Sequence, residues 1–322
     1  MMKNIRLFVF LCLGFGLVLS PAPQIWAQAP TTAKIAFASN RDGNWEIYLM
    51  NPDGSQQKRL TQNSARDSSP VWSPDGKQIL FVSNRDGVSD LYVMDADGKR
   101  VRRVFRKSAR RMEPTWSPNG ERISFHAEEP RWSIQTATIH GADMKQVALA
   151  EWRGGNPSWA ANGNEIAFVG NVGGTRRILI LKLRSGGVHT FLPKEASWMY
   201  APAWSPDGDK LAFVWLRLAL DAKESIYVAN RDGSDLKPIG EPAFHVNSPA
   251  WSPDGDKIVY VEDAKNNDDR QIVVVDVETG AQKQLTHQGL NMTPAWFNPK
   301  SLPVTPQSHL LTTIWGKIKG QD

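Results

Sequence analysis

The chain has 322 residues, 41% of them hydrophobic and 22% charged, with a formal net charge of +5 and a single cysteine. That length accommodates two ordinary domains or one large repeat domain with an ample core. The mild positive balance does not point to nucleic acid, and one cysteine excludes both a disulfide framework and a thiolate metal site.

Residues 1–27 read as a secretory signal peptide. Lys3 and Arg6 form a basic head, Leu7 to Leu19 runs without a charge, and Pro21 and Pro23 break the run before Ile25-Trp26-Ala27. The run is shorter than the roughly 20 apolar residues of a membrane-spanning helix. Cleavage after Ala27 and no stable membrane span in the mature chain are therefore expected. Cys12 follows Leu11, where a lipoprotein signal calls for a small residue, so lipid anchoring is not expected. Loss of Lys3 and Arg6 takes the net charge from +5 to +3. An exported chain without disulfides is held by packing alone.

The next elements, between residues 33 and 61, are strand-like: a first apolar segment around Ile35, then Ile47-Tyr48-Leu49, a turn at Pro52-Asp53-Gly54, and a polar segment ending Leu60-Thr61. A repeat then sets in. Trp-Ser-Pro-(Asp/Asn)-Gly starts at Trp72, Trp116, Trp204 and Trp251, a degenerate copy starts at Trp159, and Trp296 keeps the tryptophan alone, at spacings of 44, 43, 45, 47 and 45 residues. A proline precedes each by two: Pro70, Pro114, Pro157, Pro202, Pro249 and Pro294. Downstream, Ile79 with Phe81, Ile123 with Phe125, Ile166 with Phe168, Leu211 with Phe213 and Ile258 with Tyr260 alternate with the period of a strand.

Four short strands per unit of this length predict an all-β, six-bladed β-propeller with four antiparallel strands per blade, over residues 33–299. The first segment lacks a tryptophan strand and the last unit has nothing else, so the N- and C-terminal strands are expected to share one blade. The residue between each proline and tryptophan is small (Val71, Thr115, Ser158, Ala203, Ala250, Ala295), as crowding at a propeller axis demands. The tryptophans themselves are expected to fill wedges between blades. Residues 300–322 form a tail in which Leu310, Leu311, Ile314, Trp315 and Ile318 suit a short amphipathic helix.

Ser39-Asn40-Arg41-Asp42-Gly43, Glu46-Ile47-Tyr48, Asn51-Pro52-Asp53-Gly54 and the Trp-Ser-Pro-Asp-Gly copies resemble the TolB-like β-propeller repeat family. The resemblance covers residues 33–297. It implies the propeller fold and a place in the periplasm or outside the cell. The family's periplasmic namesake has an α/β domain before its propeller, whereas about five residues here separate the expected cleavage site from the first strand.

No catalytic constellation stands out: there is no Gly-x-Ser-x-Gly elbow, no His-Glu-x-x-His and no phosphate loop. The six histidines are scattered singly, and the aspartates sit mostly in turns, where their side chains cap the backbone. No cofactor and no metal are expected. The acidic loop Glu262 to Asp269 lacks the ligand spacing of a calcium loop. Eight cations without an intervening acid, from Lys99 to Arg111, read as edge protection along the outer strand of the second blade, or as a contact for an anionic partner.

The loops entering each tryptophan strand differ from unit to unit on a repeating scaffold, which is where binding specificity usually sits. The candidate binding residues there are Arg110, Arg111, Arg153, Trp198, Tyr200 and His245. Guanidinium groups mixed with rigid aromatics suit a protein or peptide that is acidic or carries a free carboxylate. The reading is thus an exported, non-catalytic binding scaffold for a protein or peptide in the cell envelope, with no nucleic acid. Two other readings stay open: a carbohydrate-active enzyme, which would need acids converging on the channel where Glu113 alone stands out, and a carbohydrate-binding module. The signal reading is checked by N-terminal sequencing of the exported protein, which is expected to begin at Gln28.

Overall fold

The computed structural model describes residues 28–150, 155–192, 194, 198–216, 223–263, 269–297 and 299. The signal segment, the tail and Arg153 lie outside the described residues. The chain opens with β1 (Lys34–Ser39), β2 (Glu46–Met50) and β3 (Lys58–Arg59). Blade 2 follows with β4 (Asp67–Trp72), β5 (Gln78–Ser83), β6 (Asp90–Asp95) and β7 (Arg102–Arg103), and blade 3 with β8 (Arg111–Trp116), β9 (Arg122–Ala127), β10 (Ser133–Thr138) and β11 (Lys145–Leu149). Blade 4 holds β12 (Ser158–Trp159), β13 (Glu165–Val172), β14 (Thr175–Lys182) and β15 (Val188–Thr190). Blade 5 holds β16 (Trp198–Trp204), β17 (Lys210–Leu216), β18 (Glu224–Asn230) and β19 (Lys237–Ala243), and blade 6 β20 (Val246–Trp251), β21 (Lys257–Asp263), β22 (Arg270–Asp276) and β23 (Gln282–Gln284). The last strand, β24 (Asn291–Phe297), returns to β1 and completes blade 1 in the order β24-β1-β2-β3.

The protein is therefore the expected six-bladed propeller. Closure uses the two segments the sequence singles out: Ile35 lies opposite Trp296 and Ala36 opposite Ala295. The second strands of the blades are buried along almost their whole length because both faces pack against neighbouring blades. Outer strands such as β23 are exposed throughout, which accounts for their polar sequence.

The tryptophans act as wedges. Trp72, Trp116, Trp204 and Trp251 are only 7–8% exposed. The Trp116 indole donates to Val71 O at 3.4 Å and the Trp251 indole to Ala203 O at 3.0 Å, each reaching the innermost strand of the preceding blade. Trp72 packs against Phe297, ring centroids 5.2 Å apart and tilted by 31°, so the wedge packing includes the closing strand as well. The turn after the tryptophan is fixed by its own side chains. Ser73 Oγ donates to Asp75 Oδ1 at 2.7 Å and accepts from the Gln78 N–H at 3.0 Å, and Ser205 with Asp207 repeats the arrangement. Gly76 has φ +68°, and a Cβ there would lie 2.1 Å from the Phe297 ring. The Leu-Thr ending also has a purpose: Thr61 Oγ1 accepts from the Ile47 N–H at 2.9 Å, as Thr286 Oγ1 does from Ile272 at 2.8 Å, tying each outer segment to the third strand of its blade.

The basic run departs from the sequence reading. The outer strand of blade 2 is only Arg102–Arg103, and most of the cations are locally paired. Lys99 meets Asp97 at 3.0 Å, Arg103 meets Asp86 at 3.3 Å, Arg111 meets Asp90 at 2.9 Å, and Arg100 pairs with Asp95. The run neutralises acids of its own blade, Asp86, Asp90, Asp95 and Asp97, more than it guards an edge.

Two outcomes test closure and wedging. Removing residues 292–322 is expected to abolish the cooperative melt, whereas removing 303–322 leaves it in place. Trp204→Ala is expected to cost roughly 3–5 kcal/mol in denaturant titrations.

Candidate functional site on the loop face and channel

Antiparallel pairing puts the loops that lead into each innermost strand at the same end of the propeller as the β1–β2, β5–β6 and equivalent loops. This end is the loop face; the Trp-Ser-Pro-Asp-Gly turns form the opposite turn face. At the axis, the residue before each repeat proline has a left-handed backbone: Ser69, Glu113, Asn156, Ala201, Ser248 and Thr293 have φ of 52°, 53°, 40°, 49°, 53° and 49°. A residue before proline is ordinarily extended. Here the strain coincides with a slip of the ladder, as between Ser68 and Val71 or between Met112 and Thr115. The bulges, with the prolines and small residues that follow, line a central cavity of ≈ 210 Å³.

Five of the six bulge residues are uncharged; the sixth is Glu113, the one ionisable side chain among the residues lining this cavity. Its Oε2 accepts the Asn156 N–H at 2.6 Å and lies 3.6 Å from Nδ1 of the buried His126. His126 in turn packs against the Trp132 ring at 4.6 Å. Gly155, at φ +141°, lets the backbone pass, since a Cβ there would stand 2.6 Å from both Glu113 Oε2 and the His126 ring. Burial raises the Glu113 carboxyl from the ordinary 4.5 to about 7, and its hydrogen bonds from Asn156 only partly oppose this. Such a group can pair with a cation or exchange a proton near neutral pH.

Around the channel mouth the loop face carries cation–aromatic pairs. Arg66 lies over Trp45 at 4.8 Å, Arg110 over Trp132 at 5.8 Å, Arg176 over Trp198 at 5.2 Å, and Lys223 over Phe244 at 5.9 Å. Phe244 is 71% and Trp198 38% exposed, so these rings present faces to solvent. A guanidinium over a ring is ordered in advance and can still offer donors to a carboxylate; Arg110 also lies 4.0 Å from Glu128. Among the described residues, no group of three or more His, Cys, Asp or Glu is placed to hold a metal ion.

The residues chosen from sequence fall into three groups. Arg110 and Trp198 stand on this rim. Tyr200 and His245 are joined through Glu224: His245 Nδ1 is 3.1 Å from Glu224 Oε2, which also bonds the Tyr200 hydroxyl and accepts the Val246 N–H at 2.8 Å. Burial pushes Glu224 up, but these hydrogen bonds outweigh it and hold the carboxylate below its usual value. Burial, together with the bond to Glu224, raises the Tyr200 hydroxyl. Arg111 is a correction: it is 5% exposed, bonds both Asp90 oxygens at 2.9 and 3.0 Å and lies 3.9 Å over Phe105, so it is a structural ion pair and offers no charge to a ligand. Sequence reading did not select Trp45, Trp132, Arg176 or His126. Glu113, which the sequence already singles out, is the one charged member of the column before the repeat prolines.

The raised Glu113 carboxyl makes stability depend on pH. The folded state holds this proton more tightly than the unfolded chain, so the contribution is complete below about pH 4.5 and is lost as pH rises through about 7. Between those values the midpoint of thermal unfolding is expected to fall with pH more steeply in the parent than in Glu113→Gln, and a carboxyl carbon signal lost in that variant should titrate near 7.

Comparison with known proteins agrees with this geometry. The family profile described as TolB beta propeller domain matches residues 19–182 and 126–302. The Tol-Pal system protein TolB of Geobacter sulfurreducens is 47% identical over 51 residues, which make up 16% of this chain and 12% of that protein. The chain thus matches only a small part of the length of such curated relatives. The crystal structure of TolB from Acinetobacter baumannii superposes with a TM-score of 0.71 at 19% identity, covering 82% of this chain and 66% of that one. A putative TolB from Agrobacterium tumefaciens gives 0.65 at 19% identity, covering 84% of this chain and 99% of the other. The profile match spans most of the closed ring described above, and this chain belongs to the TolB beta propeller domain family.

Proposed function

We propose that the protein is an exported binding module that holds a protein or peptide on its loop face in the cell envelope and does not turn it over. The observation that carries this reading is the set of four cation–aromatic pairs around the channel mouth, built from loops that break the repeat. Large aromatic faces and arginine forks are the groups that dominate interface energetics. The partner chemistry that fits is a segment rich in carboxylates, lying across the rim. Relatives named for the Tol-Pal system support an envelope setting for the proposal.

One arrangement favours a second reading. A carboxyl raised to about 7 beside a buried histidine is competent for proton transfer, so Glu113 and His126 are the groups an enzyme built on this channel would use. The two readings separate in one set of measurements. Partners are captured from the envelope fraction, and affinity is measured for the parent, Trp198→Ala, Arg110→Ala and a turn-face control, Lys210→Ala. Loss of about 2 kcal/mol for Trp198→Ala, weakening with salt and no effect of the control are expected. Unchanged affinity in both loop-face variants would discard this surface. Turnover of a polysaccharide by the parent, abolished by Glu113→Gln, would replace the binding reading by the enzymatic one.

A further inference from the structure

On the turn face, the junction between blades 3 and 4 is built unlike its neighbours. Elsewhere the turn of one blade rests on the turn before it: a Cβ on Gly120 would stand 3.6 Å from Pro74, one on Gly208 3.2 Å from Ala161, and one on Gly255 3.9 Å from Pro206. Gly163, in the degenerate turn Trp159-Ala160-Ala161-Asn162-Gly163, has nothing within 4 Å. The junction opens into a groove of ≈ 570 Å³ between blade 3 and this turn, lined by Arg122, Lys145 and Val147 on one side and Trp159, Asn162 and Leu183 on the other; the next junction holds a groove of ≈ 510 Å³, and the two differ in the charge and cover of their walls. Both volumes lie in the range of small-molecule sites.

The next junction shows one way the chain itself fills such a place, whereas between blades 5 and 6 the equivalent residues are Lys210 and Val277. The turn hydrogen bonds from Ser117 N–H to Arg122 O and from Ala160 N–H to Glu165 O make Arg122 and Glu165 equivalent. Those from Leu183 N–H to Asn164 O and from Arg231 N–H to Asp209 O make Leu183 and Arg231 equivalent. Between blades 4 and 5, Arg231 pairs with Glu165 and lies over the wedge Trp204 at 5.3 Å. The chain covers that indole with its own cation and ties the two blades together. Between blades 3 and 4 the same two places hold Arg122 and Leu183, which form no such bridge, and Trp159 is half-buried where Trp204 is buried. Arg122 and Lys145 share a single acid, Asp143, at 2.6 and 3.5 Å, and Lys145 is 65% exposed.

We infer that this groove binds a small ring compound bearing a carboxylate, the ring against Trp159 and the carboxylate on Arg122 and Lys145. The ligand supplies from outside the anion that Glu165 supplies within the next junction, with the sign of the wall reversed. The indole offers a face to a flat or faced ring. Asn119 and Asn162 add amide donors and acceptors for ring substituents. The site is separate from the loop face, and its occupancy does not depend on what the loop face binds.

An aromatic acid and a uronic-acid sugar share this chemistry, and the probes separate them. Benzoate and a glucuronic acid disaccharide, each beside its methyl ester, are titrated into the purified protein by calorimetry and saturation-transfer NMR. At least one carboxylate should bind saturably, its ester at least about tenfold more weakly, and Arg122→Gln should lower affinity by about the same factor. Whichever free acid binds identifies the source. The double variant Arg122→Glu with Leu183→Arg copies the pair of the next junction; it should melt cooperatively and lose binding. The inference is overturned if neither acid binds saturably, if ester and acid bind alike, or if a double variant that melts like the parent keeps full affinity. Should that variant not fold, unchanged affinity in Arg122→Gln overturns it instead.

Discussion

The pairing of β24 with β1 is the contact on which everything else rests. A row of blades that did not close would leave a raw strand edge at each end, open to pairing with other chains. Closure removes both edges, and it also brings Phe297 under Trp72 and Gly76, so that the wedge packing between blades runs around the ring without a break. The channel exists only because six innermost strands converge, and the two faces exist only because every blade then points the same way. With no cysteine expected in the mature chain, this closure does the work a disulfide would do in many small exported domains.

Inside the closed ring the repeat sets a background against which departures carry information. Blades 1 and 2 are near copies. Arg41 and Arg85 each lie 5.4 Å and 4.9 Å over a Phe and a Tyr, and each bonds a serine hydroxyl at 2.9 Å. The Tyr48 and Tyr92 hydroxyls bond Asp42 and Asp86, which, with burial as the larger cause, raises both tyrosines. These groups satisfy one another and are cemented into the blades. Where the same positions hold unmatched chemistry, as with Glu113 in a column of small or uncharged residues, the chain departs from what packing alone requires.

The fold was legible because its determinants recur. Tryptophan, proline and glycine columns every 43 to 47 residues carry wedge, bulge and turn, and each repetition reinforces the same reading. The binding surface was legible only in part, because cation and ring exchange places from one blade to the next, as in Trp45 with Arg66 and Arg176 with Trp198. Arg110 and Arg111 are neighbours in sequence, yet Arg111, the first residue of β8, turns inward to Asp90 while Arg110, in the loop before it, lies over Trp132. A run of like charges hides this, since the acids that neutralise it all stand before it in the chain, from Asp86 to Asp97. The rim pairs likewise join residues a strand or more apart, such as Trp45 with Arg66, and nothing in either residue's own surroundings in the sequence marks the other. The left-handed backbone before each proline was hidden for the opposite reason: proline ordinarily enforces the extended form there, and only the bulge overrides it.

The departures concentrate in one sector. Blades 3 and 4 supply Glu113 and Asn156 in the channel with the buried His126 beside Glu113, Arg110 and Trp132 on the rim, and the open junction beneath them on the turn face. Each substitution there gives up packing that the other blades keep. β12 is reduced to two residues, the wedge Trp159 is only half-buried, and a carboxyl is held where burial favours the neutral form. A ring can tolerate such a sector because the remaining junctions retain their wedges and closure ties the ends together. The stability of the repeated blades is thus what permits unmatched charge and open volume to persist between blades 3 and 4, and the cost of that sector is the physical reason to read it as functional.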